Sequence, residues 1–463
     1  MKKIELNIED IFNIPSSVIY NPDAFKSINH VSIDSRNIKK STLFIAIKGE
    51  RFDGHDFVDD AVKSGACALM VNKKNFKSLN EVDVPVITVK DTTKALGDVA
   101  KIWRSKLNAK VIGISGSAGK TTTKEILATL LSQKFKVNKT VANNNNHIGV
   151  PLTILSTSEN HNILVAELGT NHFGEISYTA SIAGPDMAII TNIGDSHLEF
   201  LKNRTGVLKE KVALFNETIK RGGKVFINND DRLLKEIGKK IKNKSTIGLV
   251  QKAEYKAKVL GYDKLARPQI QIDVKNKKNV FTVTLPISGE KNVLNFTAAF
   301  AVAAELGVSK TRLLKGCKKI KSFSKRLEIK NLKKFTLIND TYNANPDSMR
   351  SSLEILGRIE ARKKIAVLGD MYELGKQSEV KHRELSGIIR ELNIDEVYTT
   401  GKMMNLMDRN LRLKSGIHRH FSDRDSLKRF LKILDINNSA VLIKGSRGMK
   451  MEEFVSVLET RKN

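Results

Sequence analysis

The stretch Val111-Ile112-Gly113-Ile114-Ser115-Gly116-Ser117-Ala118-Gly119-Lys120-Thr121-Thr122-Thr123 decides the fold of this chain. It starts as an apolar run, continues through a loop of small residues, and ends in a lysine and three threonines. The following residues, Glu125–Leu131, place leucine and isoleucine side chains at helical spacing, which predicts an amphipathic helix. A strand, a glycine loop and a helix in this order form a common cradle for phosphate groups.

The residues of this loop have the chemistry that a phosphate site needs. Glycines at 116 and 119 permit positive φ and let backbone N–H groups approach phosphate oxygens closely. Lys120 would place a charge on the outer phosphates, and Thr121 would offer a hydroxyl to Mg²⁺. The strict P-loop pattern has four residues between its glycines, whereas this chain has only Ser117 and Ala118. The short loop separates the chain from most nucleotide hydrolases, and an ordinary strand-to-helix glycine turn is the alternative interpretation.

Length and composition indicate a globular protein of several domains. The chain has 463 residues, a length typical of about three domains. Its residues are 40% hydrophobic and 28% charged, and no run of about 18 apolar residues predicts a membrane span. The basic N-terminus lacks a following apolar region, so we expect no secretory signal. Cys67 and Cys317 have no neighbouring cysteine or histidine at ligand spacing, which predicts reduced residues in a cytoplasmic protein.

The net charge of +29, from 79 basic and 50 acidic residues, first suggests nucleic acid or an acidic membrane as a partner. The lysines are scattered in pairs along the chain, and aromatic residues make up only 6%. A nucleic-acid-dependent P-loop ATPase would instead have clustered basic residues interleaved with aromatics. We therefore predict no nucleic-acid partner, and small anionic substrates are compatible with the charge; salt-sensitive retention on a DNA column would indicate the nucleic-acid alternative.

Two further apolar runs predict strands that end in polar residues. In doubly wound sheets the carboxyl ends of parallel strands carry the ligands. The run 163–166 ends at Glu167, whose carboxylate oxygens suit a hard cation such as Mg²⁺. The run 187–193 leads to His197, which we also expect in the site. The next predicted helix, 205–219, carries Lys211 among glutamates, and this pattern alone predicts a solvated charged face.

The two ends of the chain read as further α/β units. Residues 1–90 alternate short strands and helices, and their polar loops around Asp34 and His55 either hold a ligand or make local hydrogen bonds. From residue 321 onward, four apolar strands alternate with helices and end in glycine or polar residues, which predicts a parallel sheet. The four asparagines 143–146 stand between a predicted strand and an apolar run, which favours a structured loop over low complexity.

Taken together, these residues resemble the Mur ligase family over nearly the whole chain. The similarity covers the loop Gly116–Thr122 and a set of further blocks: Asp34–Arg36, Gly54–Phe57, Asn145–Pro151, Glu167–Gly169, Arg326–Glu328, Asp340–Ser348, Leu368–Met371 and Lys444–Gly448. Within the family, Asn343-Ala344-Asn345-Pro346-Asp347-Ser348 is most similar to the member that adds D-alanyl-D-alanine. The near alternatives are the ligase that adds the third peptide residue, disfavoured by this block, and a folylpolyglutamate synthase, disfavoured by the uridine-type N-terminal domain.

The resemblance implies an α/β protein of three domains. We expect a UDP-sugar-binding domain over 1–90, then an ATP-binding central domain with a P-loop ATPase-type parallel sheet over 91–320. A C-terminal Rossmann-like domain over 321–463 would bind the incoming dipeptide.

The implied reaction is ATP-dependent amide bond formation in peptidoglycan precursor synthesis. The terminal carboxylate of UDP-N-acetylmuramoyl-tripeptide would become an acyl phosphate, and the amine of D-alanyl-D-alanine would displace the phosphate. A carboxylate is a poor acyl donor until its oxygen is phosphorylated, so the enzyme must position and neutralise two anions. ATP and Mg²⁺ are the implied cofactors, and we expect a cytoplasmic monomer.

The resemblance also implies roles for individual residues. Lys120, Lys211 and His197 would be catalytic, with Thr121 and Glu167 holding one Mg²⁺ and His197 and Lys211 the second. Lys211 aligns with a lysine that the family carbamylates. ATP would contact Gly116, Ser117, Ala118, Gly119, Lys120, Thr121, Thr122, Asn292, Asn295, Arg326 and Asp340. The substrates would contact Ser35, Arg36, Lys48, His55, Asn146, His172, Asn343 and Asn345.

Several positions depart from the family pattern. Ala118 replaces a common asparagine, Ala142 stands where a glycine is usual, and Lys291 replaces a common histidine. Val212-Ala213 follows Lys211 in place of Gly-Glu, and Asn339 replaces an aspartate. These changes affect the fine geometry of the site, and the third residue of the tripeptide stays open.

Overall fold

A computed structural model describes residues 4–78, 82–275, 277–321, 323–414 and 416–461. The chain divides into two compact units that are interleaved in sequence. The first contains Met1–Ser115, Lys134–Ile189 and Val212–Val225; the second contains Gly116–Gln133, Ile190–Lys211 and Phe226–Asn463.

The N-terminal stretch is a small α/β sheet in the first unit. Its elements are α1 (Ile8–Phe12), β1 (Val18–Tyr20), β2 (His30–Ser32), β3 (Thr42–Ile45), α2 (Val58–Lys63), β4 (Ala66–Asn72) and β5 (Val86–Val89). The strand order is β1-β5-β4-β3-β2, and only β1 runs antiparallel to its neighbour. Phe44, Leu69 and Val71 pack with Val58 of α2 to form the core.

The middle stretch contains most of the elements expected around a nucleotide. They are α3 (Thr92–Lys106), β6 (Lys110–Ser115), α4 (Lys120–Leu131), β7 (Val137–Lys139), α5 (Gly149–Leu155), β8 (Ile163–Glu167), α6 (Glu175–Ala183), β9 (Met187–Ile190), α7 (Leu198–Leu201), α8 (Arg204–Lys220), β10 (Lys224–Asn228), α9 (Arg232–Lys239), β11 (Lys244–Gly248), β12 (Tyr255–Tyr262), β13 (Pro268–Val274), β14 (Lys277–Thr284), α10 (Glu290–Glu305) and α11 (Lys310–Lys318). In the first unit, β6 and β7 pair with β8 in parallel. In the second unit, β11 and β12 are parallel, and β12, β13 and β14 form an antiparallel meander.

The C-terminal stretch forms a doubly wound sheet. Its elements are β15 (Glu328–Asn331), β16 (Thr336–Asp340), α12 (Pro346–Arg358), β17 (Lys363–Gly369), α13 (Ser378–Glu391), β18 (Glu396–Thr400), α14 (Lys402–Asn410), β19 (Ile417–Phe421), α15 (Arg424–Ile433), β20 (Ser439–Lys444) and α16 (Glu452–Glu459). The order is β15-β16-β20-β17-β18-β19, with only β15 antiparallel. The predicted parallel sheet is confirmed for the four apolar strands. The strand β19 was missed because its sequence, Ile-His-Arg-His-Phe, has no apolar run.

Element boundaries agree best where a helix has clear caps. The apolar residues within 92–106 predict a helix over this range, and α3 has these limits; the Asp91 side chain caps it by accepting hydrogen bonds from Thr93 N and Lys94 N. The helix α4 begins at Lys120, five residues before the predicted start at Glu125, because Gly119 adopts the left-handed conformation that lets the helix follow the loop directly.

Within the described residues, no helix combines the length and apolar character that crossing a membrane requires.

Both cysteines are free, and their environments differ in a measurable way. Cys317 is buried, and burial raises the pKa of its thiol to about 12; burial also raises the pKa of half-buried Cys67. Since the thiolate is the reactive form, we expect Cys317 to resist a thiol reagent at pH 8 until the protein unfolds. Labelling with Ellman's reagent, with and without denaturant, measures this; fast labelling of both thiols in the native protein would contradict it.

Candidate active site

The two loop glycines are required for different reasons. Gly116 has φ of 143°, and a Cβ there would lie 1.9 Å from Thr191 Oγ1. Gly119 has φ of 80°, and its Cβ would lie 2.6 Å from Asn295 Oδ1. Glycine is therefore needed at both positions, because the backbone has a positive φ and a neighbouring side chain leaves no room for a Cβ.

The loop is held by residues that follow β9. Ser117 N donates to Asn192 O, and Ala118 N donates to Asn192 Oδ1, both at 3.0 Å. Thr191 Oγ1 donates to Ala118 O at 2.6 Å, and Gly194 N donates to Ser117 Oγ at 2.9 Å. Sequence analysis did not single out Asn192 or Thr191. The sequence could have indicated them, because they lie near the end of the apolar run 187–193 that leads to His197.

Lys120 and Thr121 occupy the first turn of α4. The positive end of the helix dipole and the first-turn N–H groups favour an anion at this position. Lys120 Nζ donates to Gly116 O at 2.8 Å, so its charge lies against the loop. The arrangement is ready to bind phosphate oxygens with one charged side chain and the loop backbone.

The asparagines predicted near adenine lie on the first turns of α10 and are buried. Asn295 Nδ2 donates to Asn292 Oδ1 at 3.0 Å, and Asn292 Nδ2 donates to Ser288 O at 2.7 Å. The carboxamide of Asn295 lies in the space that a side chain at position 119 would occupy, 2.6 Å from the position of its Cβ. Asn295 on α10 thus packs beside the phosphate loop at Gly119.

In the first unit, Glu167 ends β8 with 1% of its surface exposed. Asn145 Nδ2 donates to Glu167 Oε1 at 3.0 Å, which orients the carboxylate. Asn145 was overlooked, whereas its predicted neighbour Asn146 accepts a hydrogen bond at 2.8 Å from the backbone N–H of Gly149, the first residue of α5. The asparagine loop includes Ala142 at φ of 50°, a conformation that explains why glycine is usual there.

Lys211 is fully buried on α8, so the solvated face predicted from charge pattern is wrong for this residue. It lies one turn after buried Val207, on the helix side that faces inward. Within the described residues, Lys211 Nζ has no hydrogen-bond partner. Burial, and then the charge of Lys120, hold the pKa of Lys211 well below its usual value. A neutral buried amine is the form that reacts with carbon dioxide.

His197 precedes α7 with φ of 53°, in the left-handed region. Its Nδ1 lies 2.6 Å from Glu373 Oε2, on the loop after β17. Glu373 itself has φ of 62°. Among the described residues, histidines, cysteines and acids form no cluster of three or more that would hold a metal by themselves. A metal in this site would therefore need other oxygen donors.

The residues predicted to bind the uridine nucleotide make mostly local contacts. Arg36 Nε donates to Asp34 Oδ1 at 2.8 Å, and hydrogen bonds from Arg36 lower the pKa of Asp34 to about 2. Lys48 Nζ lies 3.9 Å from Asp53 Oδ2 with 80% of its side chain exposed. His55 uses both ring nitrogens, at 2.6 Å from Asp53 Oδ1 and as acceptor from Asn72 N at 3.0 Å. The cations Arg36 and Lys48 thus remain exposed to a ligand, whereas the His55 ring holds its loop.

Ser35 begins a short 3-10 turn next to Arg36, and His172 lies in the loop before α6. His172 Nδ1 lies 3.5 Å from Glu175 Oε1, and 60% of its side chain is exposed. Both residues belong to the first unit, and their contact with substrate stays a prediction.

The C-terminal residues form a polar network around β16 and β20. Asn345 Oδ1 accepts from Ser348 N at 2.8 Å and caps α12, while its Nδ2 donates to Ser117 O of the phosphate loop at 3.4 Å. Asn343 O accepts from Lys444 Nζ at 3.0 Å. The guanidinium of Arg326 stacks 3.6 Å from the Tyr342 ring centroid. The predicted residues Asn345 and Ser117 are therefore in direct contact.

Asp340 and Lys444 form a buried ion pair at 2.5 Å, and Ser352 Oγ also donates to Asp340 Oδ2 at 2.6 Å. Breaking a buried pair leaves a charge without its counter-ion and costs roughly 3–5 kcal/mol. We expect Lys444→Ala to lower the free energy of unfolding by an amount of this order. Urea titration measures it, and the double variant D340N/K444M should recover much of the loss. A Lys444→Ala protein as stable as the parent would contradict the expectation.

Comparison with known proteins decides the family. Three Mur ligase profiles match in chain order: the Mur ligase family catalytic domain over 27–104, the middle domain over 114–303 and the glutamate ligase domain over 325–447. The chain is 34% identical over 465 aligned positions to UDP-N-acetylmuramoyl-tripeptide–D-alanyl-D-alanine ligase of Bacillus subtilis, covering 98% of each protein. The chain belongs to the Mur ligase family.

Solved structures agree with this assignment. A crystal structure of MurF from Acinetobacter baumannii matches this Mur ligase with a TM-score of 0.89 and 30% identity over 99% of both chains. MurF from Thermotoga maritima, determined in complex with ADP, matches with a TM-score of 0.82 and 28% identity over 93% of this chain and 97% of that one. The expected three-domain α/β architecture of the Mur ligase is thereby confirmed. The boundaries at residues 90 and 320 stay a prediction.

Proposed function

We propose that this Mur ligase joins D-alanyl-D-alanine to UDP-N-acetylmuramoyl-tripeptide with conversion of ATP to ADP and phosphate, in peptidoglycan precursor synthesis. The observation that carries the proposal is full-length similarity to ligases of that name, at 34% identity over 98% of both chains for the Bacillus subtilis protein. The phosphate loop with Lys120 supplies the chemistry that such a ligase requires.

Activation of the tripeptide carboxylate requires two anions, the carboxylate and the γ-phosphate of ATP, to come together. Lys120, at the first turn of α4, neutralises phosphate charge while the loop backbone orients the phosphate oxygens. The carboxylate oxygen attacks the γ-phosphate, ADP leaves, and the amine then attacks the acyl phosphate carbon and expels phosphate. Asn345 contacts the loop from the C-terminal stretch, so the same element that would receive the dipeptide touches the phosphate site.

The residues present fit Mg²⁺. Thr121 offers a hydroxyl and Glu167 an oriented carboxylate, and both are hard oxygen donors of the kind Mg²⁺ prefers. The buried Nζ of Lys211, without a hydrogen-bond partner in the described residues and with a lowered pKa, fits an amine that becomes a carbamate oxygen donor. We propose Thr121 and Glu167 for one ion, and His197 and Lys211 for a second. When bound, Mg²⁺ supplies positive charge that favours phosphoryl transfer.

We propose the N-terminal sheet as the uridine-nucleotide site, with Arg36 and Lys48 contacting its phosphates. Both side chains are cationic and largely exposed, at 86% and 80%. His55 would act by holding the loop that carries Lys48, since both of its ring nitrogens are already bonded. We also propose a cytoplasmic location, because the reaction consumes ATP and a nucleotide sugar, and the monomer implied by the resemblance stays a prediction.

The decisive experiment measures phosphate release from ATP with UDP-N-acetylmuramoyl-tripeptide, with and without D-alanyl-D-alanine, together with mass analysis of the products. We expect release to depend on both substrates and a pentapeptide product to appear. Turnover that needs only a single amino acid would keep the family and reject the dipeptide. A set of tripeptides differing in the third residue then determines which residue this enzyme accepts.

A further inference from the structure

Two residues far apart in sequence are held in strained backbone conformations where they face each other. His197 has φ of 53° and Glu373 has φ of 62°. Neither is glycine, and the left-handed conformation is unfavourable for a residue with a Cβ. Strain of this kind persists where surrounding structure enforces it, and it is frequent at functional sites.

The backbone around the pair brings the two segments together independently of the side chains. Glu199 N donates to Glu373 O at 3.3 Å, next to the start of α7. Gly375, two residues after Glu373, has φ of 53°, and a Cβ there would lie 3.2 Å from Glu199 Cα. The loop after β17 thus packs against the start of α7, the helix that directly follows His197.

The side chains complete this contact. His197 Nδ1 lies 2.6 Å from Glu373 Oε2, while 42% of the Glu373 side chain stays exposed. One carboxylate oxygen of Glu373 is therefore in contact with the imidazole ring of His197.

A carboxylate on one ring nitrogen is the usual way that proteins orient a metal-binding histidine through the other nitrogen. It sets the tautomer and the ring direction, and it increases the basicity of the coordinating nitrogen. Here the contact to Nδ1 leaves Nε2 as the nitrogen available for a cation.

We propose that Glu373 is a positioning residue that fixes the His197 ring through Nδ1, so that Nε2 is presented to the divalent cation. The inference rests on the proposed function, which assigns His197 to the second Mg²⁺. It adds a residue from the C-terminal stretch to a metal site otherwise built on the loop and helices of the middle stretch. The contact between the loop after β17 and the start of α7 then contributes directly to metal affinity.

The test measures Mn²⁺ binding by electron paramagnetic resonance, titrating the free Mn²⁺ signal in the presence of ADP. We expect Glu373→Gln to weaken one class of Mn²⁺ site about 10–100-fold, as is usual when the partner of a metal-binding histidine is removed. His197→Ala should weaken the same class, and the double variant should lose little more than His197→Ala alone. Glu199→Gln, a matched exposed glutamate on the first turn of α7, should bind Mn²⁺ as the parent does.

Three results would overturn the proposal. One is unchanged Mn²⁺ affinity in Glu373→Gln, which would make the pair a purely structural link. The second is independent, additive losses in the double variant, and the third is unchanged affinity in His197→Ala. Thermal unfolding of each variant confirms that it is folded. The proposed ligase reaction is judged separately, by substrate-dependent phosphate release of the unmodified enzyme.

Discussion

Replacing Lys120 with alanine should reduce phosphate release by about 10³-fold or more while the protein stays folded. The reason is that Lys120 is the charged side chain at the first turn of α4, beside the loop glycines. Removal of one preorganised group that stabilises developing charge typically costs about 10²–10³ in rate, and a full charge next to transferring phosphate exceeds this. Steady-state phosphate release with both substrates measures the effect.

The matched control for this variant is Lys240→Ala, at the end of α9 on an exposed position. It removes the same charge from the protein and should leave the rate unchanged. Circular dichroism and thermal unfolding should show that Lys120→Ala keeps its fold, because hydrogen bonds from Ala118 N to Asn192 Oδ1 and from Gly194 N to Ser117 Oγ also hold the loop. An unchanged turnover of Lys120→Ala would remove the phosphate loop from the mechanism.

The second large effect is expected for Lys211→Ala, which should lose most of the activity and regain part of it with added formate or acetate. Lys211 Nζ is buried and has no hydrogen-bond partner in the described residues, so alanine leaves a polar cavity that a short carboxylate fits. The added carboxylate replaces the oxygen donor that a carbamate on Lys211 would supply. Rate measured against carboxylate concentration should saturate.

Lys209→Ala is the control on the same helix, two residues earlier and exposed. It should keep full activity and show no response to carboxylates. A fully active Lys211→Ala protein would reject the carbamate assignment. Activity that falls without any rescue would show that Lys211 acts through its amine.

The patterns along the chain were sufficient to predict the phosphate site and the four apolar strands of the C-terminal sheet. A strand, a glycine loop and a helix predicted the phosphate site, and four apolar strands alternating with helices predicted the C-terminal parallel sheet. These predictions succeed because hydrophobic periodicity and loop residues are local properties of a sequence. The start of α4 was placed too late, since an N-terminus after a left-handed glycine carries no side-chain cap to detect.

The family resemblance supplied candidate site residues, but their partners came from tertiary contacts. Three contacts were not predicted, because each joins segments distant in sequence. They are the contacts of Asn192 with the loop backbone, of Asn145 with Glu167, and of Glu373 with His197. His55 shows the opposite case: as a loop histidine it was a candidate for substrate contact, whereas the fold uses both ring nitrogens.

Lys211 shows most clearly what sequence by itself determined and what only tertiary structure decided. Its position on a helix followed from local periodicity, and its charged neighbours predicted solvent exposure. The folded chain buries it completely, because it shares the inward side of α8 with Val207. Local pattern determines helices, strands and the phosphate loop, since these depend on neighbouring residues. Burial, and with it the lowered pKa of Lys211, depends on which distant segments pack around a side chain, and only the fold decides that.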